Sequence, residues 1–117
     1  MSKQEIRIVT KIIRELSLFL MLHGYNTFQL NTYLEGKTRV FMLDVENMAS
    51  DTLETMREKI GRKRELEVET YGWELLGDTD TKNELEIIGL LIDSLDITTK
   101  DHRTRLVLKR ESKYLEK

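Results

Sequence analysis

The chain has 117 residues, of which 39% are apolar and 34% charged, with a formal net charge of −2. That length suits one domain able to bury a core without staples, and the near-neutral balance argues against wholesale wrapping by nucleic acid. Cysteine is absent, which excludes disulfides, thiolate catalysis and cysteine-ligated zinc.

The most apolar run, Leu16 to Leu22, is interrupted by Ser17 and falls well short of the roughly 20 residues a membrane helix needs. No small-residue cleavage site follows it, so the reading is a cytoplasmic protein with no membrane insertion. Proline is absent, and no linker, low-complexity tract or repeat divides the chain. Residues 1–111 read as one domain and 112–117 as a polar tail that frays.

The first element is a helix. Ile6, Val9, Ile13, Leu16 and Leu20 step by three or four residues and share one face, which Ile12 and Phe19 widen. Gly24 after His23 is the stop signal. Two strands follow. Phe28, Leu30, Thr32 and Leu34 alternate with polar neighbours, as do Phe41, Leu43 and Val45 beyond the link Glu35-Gly36-Lys37-Thr38. A glycine in a short polar link between alternating runs predicts an antiparallel hairpin.

Ser50-Asp51 reads as the cap of a second helix, with Asp51 and Glu54 at capping-box spacing and Leu53, Met56 and Ile60 as its apolar stripe. Gly61 and the basic run Arg62-Lys63-Arg64 end it. Glu65 to Leu76 reads as extended, and Gly77 to Asp80 as a loop. Thr81 and Glu84 then form a capping box ahead of a third helix, with Leu85, Ile88, Gly89, Ile92 and Leu95 on one face. Asp96 to Thr99 and Thr104 to Arg110 read as two closing strands. The predicted class is α+β: a two-layer α/β sandwich whose mixed, mostly antiparallel sheet is covered on one face by about three helices.

Two segments carry a family resemblance. Glu15-Leu-Ser-Leu-Phe19-Leu-Met-Leu-His23-Gly24, followed by a hairpin, resembles the opening of the ATP-binding domain shared by gyrase, histidine kinases, MutL and the anti-sigma-factor kinases. That opening is a helical Glu, an Asn four residues on, and a basic residue or His four later. Leu85 to Arg110 resembles the family's last helix and closing hairpin, with Thr104 near its threonine before the final strand. The resemblance implies a kinase-type ATPase fold in bacterial signalling, with Glu15 as general base should any catalysis survive.

The departures from the pattern imply loss of Mg·ATP binding. Phe19 stands where the family's asparagine holds Mg²⁺, and it has no oxygen for a hard cation. Val45-Glu46-Asn47-Met48-Ala49 stands where the family has Asp-x-Gly-x-Gly, so the glycines that allow close backbone approach are missing. Glu46 or Asn47 would be the surviving acceptor for an adenine amino group. The glycine-rich phosphate lid has no counterpart.

The expectation is therefore a non-catalytic regulatory or protein-interaction domain with no cofactor, a protein partner and the option of a homodimer. The alternative is a diverged nucleotide-binding domain that holds ATP through Glu15, Glu46 and Asn47. A third reading, a small nucleic-acid-binding module, would use Lys59, Arg62, Lys63 and Arg64 with Arg103, Arg105 and Lys109. No aromatic platform is interleaved with those cations, and edge strands carry cations simply to resist aggregation.

Other clusters have plainer readings. His23 suits a helix C-terminus and His102 a turn. Asp78, Asp80 and Glu84 suit helix capping. Glu65, Glu67 and Glu69 suit a solvated strand face.

Overall fold

A computed structural model describes residues 2–61 and 84–111. Helix α1 spans Lys3–Leu22, strands β1 and β2 span Phe28–Glu35 and Thr38–Glu46, helix α2 spans Ser50–Ile60, helix α3 spans Glu84–Leu91, and strands β3 and β4 span Ser94–Lys100 and Arg103–Glu111. The strands form a four-stranded sheet in the order β1-β2-β4-β3, and every pair is antiparallel. The α+β sandwich read from the sequence is therefore the architecture observed. Among the described residues every strand pairing is antiparallel, where the sequence reading allowed a mixed, mostly antiparallel sheet. The expected extended segment Glu65–Leu76, the Gly77–Asp80 loop, the Thr81 cap, the Arg62–Arg64 run and the tail lie outside the described residues.

Helix α1 starts where Ser2 Oγ accepts the Glu5 N–H at 3.1 Å, which satisfies one of the orphan donors of the first turn. It ends in a Schellman arrangement. The Tyr25 N–H donates to the Leu20 carbonyl at 2.8 Å and the Gly24 N–H to that of Met21 at 3.1 Å. Gly24 takes φ +88°, a conformation that costs glycine little.

The buried face of α1 is rotated from the expected one. Ile8, Ile12 and Leu16 are fully buried, whereas Ile6 is 45% exposed and Ile13 only partly covered. Two apolar arcs overlap on this helix, and periodicity alone does not choose between them. Glu5 does: it shares a side with Ile8 and Ile12, and its carboxylate is drawn inward by Arg110 on β4.

Both hairpins close through two-residue loops, Gly36-Lys37 and Asp101-His102, between the paired ends Glu35–Thr38 and Lys100–Arg103. Alternation then decides the faces. Phe41, Leu43 and Val45 of β2 meet Leu106 and Leu108 of β4 on the helix side, and all five are buried. The core adds Met56 and Ile60 of α2 and Leu85, Ile87, Ile88 and Leu91 of α3. Burying each such side chain is worth about 1.5–3 kcal/mol.

Helix α3 packs against both α1 and α2. That explains why its buried residues run around the helix instead of along one face. The expected face is corrected at its end. The helix stops at Leu91, so Leu95 belongs to β3, where it pairs with Leu108.

The start of α2 also departs from expectation. Its N-cap is Ala49, with no side-chain cap, so the Asp51–Glu54 box does not form the cap. Tyr25 serves instead. Its hydroxyl accepts the Ala49 N–H at 2.9 Å and donates to Thr52 Oγ1 at 3.3 Å. A residue from the α1 exit turn thus takes the place of a capping glutamate. Tyr25→Phe is expected to lower stability by about 0.5–1 kcal/mol with unchanged far-UV circular dichroism. A loss below the error of a urea titration would show that the hydroxyl contributes nothing.

Candidate functional site

The sheet end where β2 leaves for α2 gathers three polar loops: 23–27, 46–49 and 99–104. The backbone makes this gathering. The Asn47 N–H donates to the His102 carbonyl at 2.7 Å, extending the β2–β4 ladder by one step. Asn47 and Asp101 sit at φ 55° and 58°, the left-handed region that Asn and Asp tolerate better than other side chains.

An open depression of about 440 Å³ is lined here by Gly24, Tyr25, Asn26, Thr27, Glu46 and Asn47. On the outer face beside it, a smaller cavity of about 120 Å³ is lined by residues that include Gln29, Asp44, Glu46 and Arg103. Glu46 and Arg103 are cross-strand partners. Two of the three candidate residues, the sequence neighbours Glu46 and Asn47, line the depression.

Glu15 is not among the residues lining either hollow. It lies on α1 and is buried, as is Lys11. The Lys11 ammonium approaches its carboxylate to 2.9 Å, and the Arg14 guanidinium lies at 3.8 Å. The Lys11–Glu15 approach makes an ion pair without an aligned hydrogen bond, and removing either partner would strand a buried charge.

Phe19 is 2% exposed within the core. Its ring centroid lies 4.1 Å from that of His23. His23 Nδ1 lies 2.9 Å from the Phe19 carbonyl, which makes Nδ1 the protonated ring nitrogen in this contact. His23 closes the helix end, and His102 occupies the β3–β4 turn. Among the described residues, no three His, Cys, Asp or Glu side chains converge as metal ligands do.

The expected basic stripe on β4 is present but interrupted. Arg103, Arg105 and Lys109 alternate with the buried Thr104, Leu106, Leu108 and Arg110. Arg105 is engaged: its Nε donates to Asp44 Oδ1 at 2.8 Å and its Nη2 to Oδ2 at 3.2 Å. The hydrogen bond and charge of Asp44 push the guanidinium further up from its already high pKa. Of the Lys59–Arg64 cluster, only Lys59 lies among the described residues.

Periodicity did not reveal the pairing of Asp44 with Arg105, or that of Glu5 with Arg110. Each joins residues distant in the chain, and only the strand register aligns them. A weak signal exists for the first: both residues occupy the non-core alternation of their strands.

Helix α1 leaves an apolar stripe uncovered near its end, where Leu18, Met21 and Leu22 are 36%, 55% and 66% exposed. No helix among the described residues is long and apolar enough to cross a membrane. Comparison with protein-family models, with curated proteins and with solved structures finds no match.

Proposed function

We propose that this chain is a non-catalytic regulatory or protein-interaction domain on a diverged kinase-type ATPase fold, serving in bacterial signalling. The observation that carries the reading is Phe19. Where the resembled family places an oxygen donor for Mg²⁺, this chain has a buried ring packed in the core beside His23, and an aromatic ring cannot ligate a hard cation. Glu15, the resembled general base, is tied to Lys11 on its own helix.

The element order, a helix and hairpin at one end and a helix and hairpin at the other, is the order the resemblance calls for. The stripe Leu18, Met21 and Leu22 supplies a surface for a partner. Uncovered apolar residues at positions i, i+3 and i+4 suit a docking face better than solvent. The expected result of titrating the purified chain with ATP and ADP, with and without Mg²⁺, is no saturable heat in calorimetry and no thermal stabilisation. Micromolar binding would overturn the reading.

That result would favour the second reading, a diverged nucleotide-binding domain. Its support is the depression that holds Glu46 and Asn47 together beside Gly24 and Thr27. Loss of binding in Asn47→Ala would then locate the nucleotide there.

A further inference from the structure

The two edges of the sheet differ in how they are protected. Strand β3 carries Asp96 and Lys100, the kind of charge that keeps an edge from pairing with another chain. Strand β1 carries no charge from Phe28 to Leu34, no proline and no glycine, and its register with β2 runs unbroken from Phe28 to Glu35. Among the described residues it pairs on one side only, with β2. Tyr33 and Leu34 at this edge are 42% and 41% exposed.

The hairpin geometry says which backbone groups point outward. A two-residue loop makes Glu35–Thr38 the closing hydrogen-bonded pair. Alternation then turns the N–H and C=O of Leu34, Thr32, Leu30 and Phe28 toward the open edge. This set is symmetric about Asn31.

We infer that β1 is the seam of a homodimer, pairing antiparallel with β1 of a second copy about a two-fold axis at Asn31. In that register Leu30 faces Thr32 of the other copy and Phe28 faces Leu34, so every outward backbone group is matched in about eight hydrogen bonds. Leu34 gains an aromatic neighbour, Gln29 meets Tyr33, and Asn31 meets its own copy. Glu35 falls opposite Thr27, so no like charges meet. The self-complementary arrangement is what a closed two-fold interface requires, and it joins two four-stranded sheets into one.

The inference deepens the interaction reading above by naming a second copy as partner. A nucleotide titration that overturned that reading would leave the seam standing, and a monomer would remove the seam alone.

The test is sedimentation equilibrium of the full chain over a wide concentration range, with Asn31→Lys, Asn31→Glu and an equimolar mixture of the two. Asn31 is exposed, so both variants are expected to keep the wild-type circular dichroism. The wild type is expected to reach twice the chain mass. Each variant alone should associate about fivefold more weakly or worse, the effect of like charges set directly opposite. The mixture should recover wild-type association, because Lys then faces Glu. In the wild type, amide exchange at Leu30 and Thr32 should slow as concentration rises. A wild type that stays monomeric overturns the proposal. So does a dimer indifferent to Asn31→Lys, a mixture that fails to recover, or exchange at Leu30 and Thr32 that ignores concentration.

Discussion

Arg110→Ala is expected to cost about 3–5 kcal/mol of stability, a large share of the roughly 5–15 kcal/mol that holds a domain of this kind folded. The guanidinium is fully buried. Its Nε and Nη2 donate to the two oxygens of Glu5 at 3.1 and 3.2 Å, and its Nη1 donates to the Leu91 carbonyl at 2.9 Å. One side chain thus ties α1, the end of α3 and β4 together.

Truncation would leave the Glu5 carboxylate buried without this partner, and an uncompensated buried charge is the main cost of breaking such a pair. Arg110→Lys should rescue little, because an ammonium cannot present the planar fork that two oxygens and a carbonyl receive. The double variant Glu5→Leu, Arg110→Met should be far less damaged than Arg110→Ala, since it removes both charges. Urea unfolding of the three variants checks this. A loss below about 1 kcal/mol in Arg110→Ala would mean that the pair behaves as an exposed one.

Gly89→Ala is expected to destabilise by about 1–3 kcal/mol, the cost of overpacking, although alanine is the better helix former by about 1 kcal/mol. The sign reverses because of a neighbour. A Cβ at Gly89 would fall 2.3 Å from the Lys59 carbonyl oxygen and 3.4 Å from its carbon. Those atoms are backbone near the end of α2 and cannot swing aside, so relief requires the two helices to separate. Gly89→Val should cost more again. Thermal unfolding gives the answer: a rise in Tm for the alanine variant would show that α2 and α3 do not approach this closely.

Local patterns carried most of the fold. The alternation of Phe28 to Leu34 and of Phe41 to Val45 placed the first hairpin correctly, because a strand with one buried face writes its period into the chain. The second hairpin is longer by one or two residues at each end than its alternation indicates, because Ser94, Lys100, Arg103 and Glu111 are polar and Leu95 fits a helical face as well as a strand. The rotation of α1 was not legible. Ile6 and Ile8 are both isoleucines, and the choice between them is made by Arg110, 105 residues from Glu5. The α2 cap failed for the same reason. Ser50 and Asp51 have good capping side chains, but Tyr25, from a different turn, fills the position.

At the candidate site, Glu46 and Asn47 are neighbours in sequence and so necessarily meet. Their depression is completed by residues 24–27, whose arrival depends on the Schellman turn that Gly24 marks. Glu15 was placed by spacing within a helix, and spacing does not say what the helix face will meet. It met Lys11.

The sheet order has a consequence for how the chain becomes a protein. Strand β4 is interior, flanked by β2 and β3, and its pairing with β2 joins Glu46 to Arg103 and Thr38 to Glu111. The two hairpins can each close locally and fast, on the microsecond scale of such turns. The core between them exists only once β2 and β4 have met across about half the chain, and closing so long a loop is entropically costly before any contact rewards it. On an emerging polypeptide, α1 and its buried isoleucines therefore wait, solvent-exposed, for the strand that carries Arg110. The interval between the synthesis of Ile8 and that of Leu108 is the period in which this chain is most vulnerable to association with the wrong surface.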